Sequence, residues 1–288
     1  MRLYVTDQGI AREDRTGVLS LLDLPYRDLG ELLEGPGLEA TRDAQVLREL
    51  QLDEVALRAP VHRPGKVVIV GLNYPSHAEE ALEAFAAIGR ADIETPTEPN
   101  LQLTAGSAVA DPDSTILLPS VAATEVDYEG ELAVVIGQRA THVSSDDAWK
   151  YVAGLTVAND VSARDIQRRA MTGDTAASIG VSKSFDTFKP LGPCLVTADE
   201  FPDDVDLAIQ TRVNGEIRQD DRTSSFIHSI PTLVAHLSKY QTLEPGDVIC
   251  TGTPRGAGVF SGTFLQEGDV VEVEIERIGV LRSHVGVA

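Results

Sequence analysis

Cysteine is almost missing from this chain. Cys194 and Cys250 are the only two in 288 residues, too few for a disulfide framework or a cysteine-based metal site. Basic residues are also scarce, 24 Lys and Arg against 45 Asp and Glu, for a net charge of −21. Nucleic acid and anionic membrane are therefore excluded as partners, because phosphate binding needs a basic footprint. The acidity itself reads as solubility. No apolar run reaches ~18 residues, and the start lacks a basic-then-apolar pattern. These absences predict a soluble, cytoplasmic protein. No internal repeat or long low-complexity segment stands out. What is present is a hydrophobic fraction of 42%, enough for a core, with 24 Gly, 15 Pro and many β-branched runs. That mixture predicts a turn-rich, mainly β architecture, as one large domain or one domain with a small appendage.

Residues 1–62 read as a small N-terminal domain. Strands are predicted over Met1–Asp7 and Thr16–Leu22, helices over Asp28–Leu33 and Ala44–Leu50. No chemistry converges there, so packing or dimer contacts are expected of it. Pro60 and Pro64-Gly65 mark a linker, and residues 63–288 form the main domain. Lys66–Leu72 is a short buried strand leading into Asn73-Tyr-Pro-Ser-His-Ala-Glu-Glu80 and an Ala-rich helix to Gly89. Ser76 and Glu79 fit a capping box. His77 and Glu80 then share one side of the first turn. Such a pair can act as a general base with its orienting carboxylate, or be an ordinary helix start. The helix N-terminus disfavours a protonated imidazole there and Glu80 favours it.

Further on, Ser144–Trp149 opens a helix and Gly154–Asp160 is an apolar strand ending in acid. Residues 170–182 are small and polar, a predicted mobile loop. Asn214-Gly215 signals a type I′ hairpin. Ser225–Tyr240 is predicted helical, with Pro231 near its start. Gly246–Gly258 is a strand running into a glycine-rich loop, and Gly268–Ile275 and Gly279–Ser283 close the sheet.

The densest signal is Val126-Asp-Tyr-Glu-Gly-Glu-Leu-Ala-Val-Val-Ile-Gly137. Its apolar half reads as a buried strand. Strand periodicity puts Glu129 and Glu131 on one face. Gly130 between them leaves the other face bare for a close neighbour. Two carboxylates at the mouth of an apolar strand are costly to bury without a counter-charge. Either they face water or they hold a cation.

Five pieces in order, Gly71–Glu80, Val126–Gly137, Asn159-Asp-Val-Ser-Ala-Arg-Asp-Ile-Gln167, Lys183-Ser-Phe-Asp-Thr-Phe188 and Thr251-Gly-Thr-Pro254, carry a resemblance to the fumarylacetoacetate hydrolase family across residues 60–288. The resemblance implies an α+β, mainly β fold: a mixed β-sandwich roll with peripheral helices, usually a homodimer. It implies that Glu129, Glu131 and Asp160 bind one divalent cation. All-carboxylate ligation suits Mg²⁺ first, with Mn²⁺ or Ca²⁺ next, and no organic cofactor. Two like charges ~4 Å apart at an effective dielectric of ~20 repel by roughly 4 kcal/mol, a penalty that a cation removes. His77 and Glu80 are implied as the dyad that activates water, Lys183 as the stabiliser of an enolate oxygen. Arg164, Gln167 and Thr253 match substrate-binding positions, and the planar fork of Arg164 suits a carboxylate; an ion pair with Asp165 or another neighbour is its plainer use.

The implied substrate is a small oxo acid, and the implied reaction is hydrolysis of a carbon–carbon bond in a β-dicarbonyl or acylpyruvate. Decarboxylation, isomerisation or hydration of a 2-oxo acid on the same scaffold is the alternative; a non-catalytic metal-binding assembly protein is the third. The pattern departs from many members at four places. Gln102 and Thr104 stand where an aromatic and a lysine are common. Ser178 and Ile179 stand in place of Gln-Trp. These changes point to a less acidic or differently shaped substrate.

Overall fold

The computed structural model describes residues 1–288 except 88, 91, 93 and 202–204. Its centre is a twelve-stranded mixed sheet. The acidic strand, Gly130–Ile136, lies inside it, antiparallel to Val152–Asn159 on one side and to Val248–Cys250 on the other. Val67–Gly71 runs parallel to Val248–Cys250, so both segments leave the sheet at the same end. A five-stranded sheet, built from Thr115–Leu118, Ala208–Val213, Glu216–Arg222, Val270–Ile275 and Gly279–Val287, forms a second layer.

Alternation along the acidic strand explains its unbroken apolar run. Leu132, Val134 and Ile136 enter a core with Ile209 and Val273 of the second sheet and Leu233 and Leu237 of the helix Ile230–Tyr240. Ala133 and Val135 enter a second core with Leu3, Val5, Leu29 and Leu32. A strand buried on both faces needs apolar residues at every position. At Gly130 the second sheet packs directly against the backbone of the first. A Cβ there would lie 2.1 Å from Thr211 Oγ1 and 2.9 Å from Val273 Cγ1.

Residues 1–62 supply strands Arg2–Thr6, Gly9–Arg15, Val18–Leu22 and Val46–Gln51 to the same large sheet. The join is Arg2–Thr6 against Lys189–Thr197, with Leu3 opposite Leu195. The predicted helix over Ala44–Leu50 is instead that fourth strand, with Leu50 opposite Leu19. A helix this short is marginal alone, and the open edge of Val18–Leu22 offers it a full ladder of hydrogen bonds.

Three other boundaries move. The site helix spans Pro75–Ala87, so Ser76 lies inside it and no capping box forms. Proline sets the first turn, and the Ser76 hydroxyl donates to Asp221 instead, at 2.9 Å. The end expected at Gly89 crosses residue 88, outside the described residues. The helix predicted from Ser225 begins at Ile230, because Ser229 caps it and Pro231 fixes its first turn. Residues 170–182 contain the end of the helix Arg164–Met171 and a short turn of helix, Ile179–Ser182. The Asn214-Gly215 hairpin has positive φ at both residues, 53° and 79°, as a type I′ turn requires.

Candidate active site

Strand register assembles the acid cluster. Gly130 pairs with Asn159, which puts Glu129 beside Asp160; the Asp160 N–H donates to the Glu129 carbonyl at 2.8 Å. Glu131 is two residues on and faces the same way. One carboxylate oxygen from each of Glu129, Glu131 and Asp160 lies within 4.8 Å of the others, and all three side chains are buried. The sequence expectation that these acids converge is met.

Buried cations surround them. Lys183, from the turn after Ile179–Ser182, places Nζ 2.7 Å from Glu129 Oε2 and also pairs with Asp160 Oδ2. Arg164 has its three donor positions engaged: Nε with Asp127 Oδ2 at 2.8 Å, one terminal nitrogen with Glu129 Oε1 at 2.5 Å, the other with Gln167 Oε1 at 2.8 Å. Lys189 donates to the carbonyls of Lys183, Phe188 and Val161 at 2.6, 3.0 and 3.3 Å. Its Nζ lies 2.7 Å from Asp160 Oδ1. That is an ion-pair distance without hydrogen-bond alignment, so Asp160 Oδ1 is buried with no hydrogen bond.

The carboxylates are not equivalent. Burial pushes Glu129 up, but Arg164, Lys183 and His77 outweigh it and hold the group well below the usual carboxylate range. Glu131 goes the other way. Burial, then the charges of Asp160 and Glu129, push it well up, and Lys183 and the Gly252 N–H only partly offset them. Four buried carboxylates, Asp127, Glu129, Glu131 and Asp160, thus face three buried cations, Arg164, Lys183 and Lys189. These observations fit a metal. The donor set is all oxygen, one oxygen has no hydrogen bond, and one carboxylate is short of positive charge. A dication would turn a surplus of one negative charge into one positive, which suits an anionic ligand.

His77 and Glu80 come from the first turns of the site helix. That helix is reached through Leu72, a non-glycine residue at φ 57°. Asn73 ties the turn down, donating to the carbonyls of Thr251 and His228. The His77 ring packs edge-on against Phe260, with centroids 5.6 Å apart. Its Nδ1 is 3.9 Å from Glu80 Oε2, an ion-pair spacing rather than a hydrogen bond. Glu80 accepts the Gly256 N–H from the glycine-rich loop at 3.0 Å and faces Arg255. Burial pushes Glu80 up, but His77, Gly256 and Arg255 together hold it below its ordinary value. Thr253 is held as well: its hydroxyl donates to the Gly130 carbonyl at 3.0 Å and accepts from Gln219 Nε2 at 2.7 Å.

A cavity of about 590 Å³ opens onto this cluster. His77, Glu129, Glu131, Arg164, Gln167, Lys183 and Thr253 line it; Glu80 and Asp160 stand one layer behind. Gln102 and Ile179 also line it, whereas Thr104 is buried and donates to the Val67 carbonyl. A cavity of about 750 Å³ lies elsewhere, beside Arg27, Arg58 and His62. There Arg27 pairs with Glu31 and Arg58 with Asp111, and the lining groups Glu34, His62 and Arg63 are exposed rather than gathered into a buried cluster.

Sequence reading assigned no role to Asp127, Lys189, Gln219 or Phe260. Lys189 carried a faint signal, a lone charge at the head of the apolar strand Lys189–Thr197. Gln219 carried none, because its bonds to Gly130 and Thr253 span the two sheets.

Comparison with known proteins agrees with this geometry. A family model for the C-terminal domain of fumarylacetoacetate (FAA) hydrolase matches residues 66–286. A mitochondrial oxaloacetate tautomerase of Bos taurus is 44% identical over 240 residues, covering 83% of this chain and 72% of that protein. Two solved structures superpose over the full length of both chains. Fumarylacetoacetate hydrolase from psychrophilic Exiguobacterium antarcticum gives a TM-score of 0.82 at 31% identity. The 5-carboxymethyl-2-hydroxymuconate delta-isomerase of Mycobacterium smegmatis gives 0.77 at 33%. With the acid triad, its lysine and the His–Glu turn in one cavity, and a family model spanning most of the residues that build it, the chain belongs to the fumarylacetoacetate hydrolase family.

Proposed function

We propose that this protein is a divalent-metal-dependent enzyme that interconverts the keto and enol forms of a 2-oxo acid. The observation that carries the reading is His77, a single base, lining the same cavity as the buried Glu129, Glu131 and Lys183, with Asp160 completing the carboxylate cluster behind them. Bound at Glu129, Glu131 and Asp160, a divalent ion, Mg²⁺ first, would supply Lewis acidity toward two adjacent oxygens. His77 presents Nδ1 to Glu80, which leaves Nε2 for substrate. Nε2 takes a proton from the carbon next to the oxo group, and the C–H electron pair becomes the C=C bond of an enolate. Lys183 places its ammonium where the negative charge develops. Return of a proton to oxygen gives the enol; the reverse sequence gives the ketone. Glu80, fixed by Gly256, keeps the ring oriented through both transfers. The surroundings of His77 favour this over water delivery, since Phe260 and Ala81 are apolar neighbours in the wall. The similarity to oxaloacetate tautomerases and to an isomerase supports the same choice.

Carbon–carbon hydrolysis is the second reading, favoured by the His77–Glu80 pair itself, which can activate water. One experiment separates the two. A 2-oxo acid and an acylpyruvate are incubated with enzyme and Mg²⁺ in D₂O and followed by NMR and product mass spectrometry. Faster enol decay and deuterium uptake without cleavage support tautomerisation; two cleaved acids support hydrolysis. Absence of both deuterium uptake and cleavage would remove both readings. His77→Ala is expected to lower the turnover by about 10²-fold or more. A homodimer and a cytoplasmic location remain part of the proposal; Cys194 and Cys250, both buried and free, suit a reducing compartment. Among the described residues no helix is long and apolar enough to cross a membrane.

A further inference from the structure

The cavity is much larger than a short 2-oxo acid and is not uniform. Its buried charged groups, Glu129, Glu131, Arg164 and Lys183, are clustered together, and Asn100, Gln102 and Thr172 add neutral polar atoms to the lining. Outward from His77 the wall becomes apolar: Phe260 and Val259 on one side, Ala81, Ala84 and Phe85 of the site helix on another, and Met171 at the rim. Met171 is 43% exposed. Val259, Phe260 and Phe85 are half-buried and Ala84 is exposed, so this wall is not spent on the core. Cations that could receive a second carboxylate are already engaged. Arg164 and Lys183 are held by buried acids. At the rim, Arg168 pairs with Glu125 and Arg90 with Asp92.

We infer that the substrate carries an uncharged apolar substituent, alkyl or aryl, beyond its 2-oxo acid head, and that Phe85, Met171, Val259 and Phe260 house it. This rests on the preceding reading for the position of the head. A carboxylate at the far end would compete with Glu125 or Asp92 for an exposed arginine or turn to the neutral groups of Asn100, Gln102 and Thr172, whereas an apolar tail covers surface that otherwise faces water. Filling the wall gains roughly two- to fourfold in affinity per methylene until the tail reaches the rim.

Calorimetry with unreactive N-substituted oxamates tests this on the Mg²⁺-loaded protein. N-methyl, N-butyl, N-hexyl and N-benzyl oxamate form the neutral series, and N-(3-carboxypropyl) oxamate is the anionic control. The expected result is a Kd that falls stepwise from methyl to hexyl, with the carboxypropyl compound weaker than butyl. Phe260→Ala is expected to flatten the series, and so is Met171→Gln, at a half-exposed position where folding is not at stake. A flat series in which N-methyl oxamate still binds overturns the tail inference alone. So does tightest binding by the anionic control. Failure of every oxamate to bind overturns the placement of the head, and the tail inference with it.

Discussion

Glu131 is buried beside two other carboxylates and is only partly compensated by Lys183 and the Gly252 N–H. It is an acid whose folded-state proton affinity is raised, so its contribution to stability is greatest at low pH and is lost as pH rises above the ordinary carboxylate value of 4.5. Glu131→Gln keeps the acceptor for the Gly252 N–H and removes the charge. It should stabilise metal-free protein at neutral pH by about 1–3 kcal/mol, while the rise in thermal midpoint on adding Mg²⁺ disappears. A variant that still responds to Mg²⁺ like the parent would remove Glu131 from the metal site. Glu80 has the opposite sign. Its value is lowered from 4.5 in the folded chain, so its contribution is present above that pH and fades as pH falls through the folded value. Urea midpoints of the parent and Glu80→Gln should therefore converge between pH 6 and pH 3; a constant gap would mean the carboxylate gains nothing from its neighbours. Lys189→Met should cost about 3–5 kcal/mol, since it strips the ammonium from three carbonyls and from Asp160. Denaturant unfolding measures it, and a loss below 1 kcal/mol would show that the buried ammonium is dispensable.

At the level of strands and turns, legibility followed how local the determinant was. The acidic strand could be read because its apolar run, its glycine and its two glutamates all lie within a dozen residues. The Asn214-Gly215 turn could be read because its backbone requirement is local. Val46–Gln51 could not, because its partner strand decides its conformation. Nor could the ring of donors around Arg164, whose partners Asp127 and Glu129 lie 37 and 35 residues away. The resemblance covered that gap for the metal ligands, but not for Lys189 or Gln219. The contact made by Gly130 gives a sharp test. Gly130→Ala forces a methyl into Thr211 and Val273, which should cost about 1–3 kcal/mol or more and weaken Mg²⁺ binding by parting Glu129 from Glu131. Paired urea and Mg²⁺ titrations measure both; an alanine variant matching the parent in each would mean the sheets are free to move apart there.

Over the whole molecule, the net charge of −21 sits on a chain with pI near 4.5. Self-repulsion on that scale opposes compactness and is screened by salt. Thermal midpoints of EDTA-treated protein should rise from 10 mM to 300 mM NaCl, and Mg²⁺ at low millimolar concentration should add a further rise that NaCl does not reproduce. If NaCl alone matched the Mg²⁺ effect, the ion would be acting as a general screen and not as a ligand.

The seam between Arg2–Thr6 and Lys189–Thr197 has an evolutionary consequence. The strand it shields is the one that starts at the lysine bracing Asp160. A relative that exchanged residues 1–62 for an unrelated segment would expose that strand's outer edge at Leu195 and Val196, while Val109–Ala110 would still flank Lys189 itself. Recombination near residue 62 is therefore constrained: any replacement must bring its own first strand to the same border, even though no residue of 1–62 lines the cavity over the acid cluster.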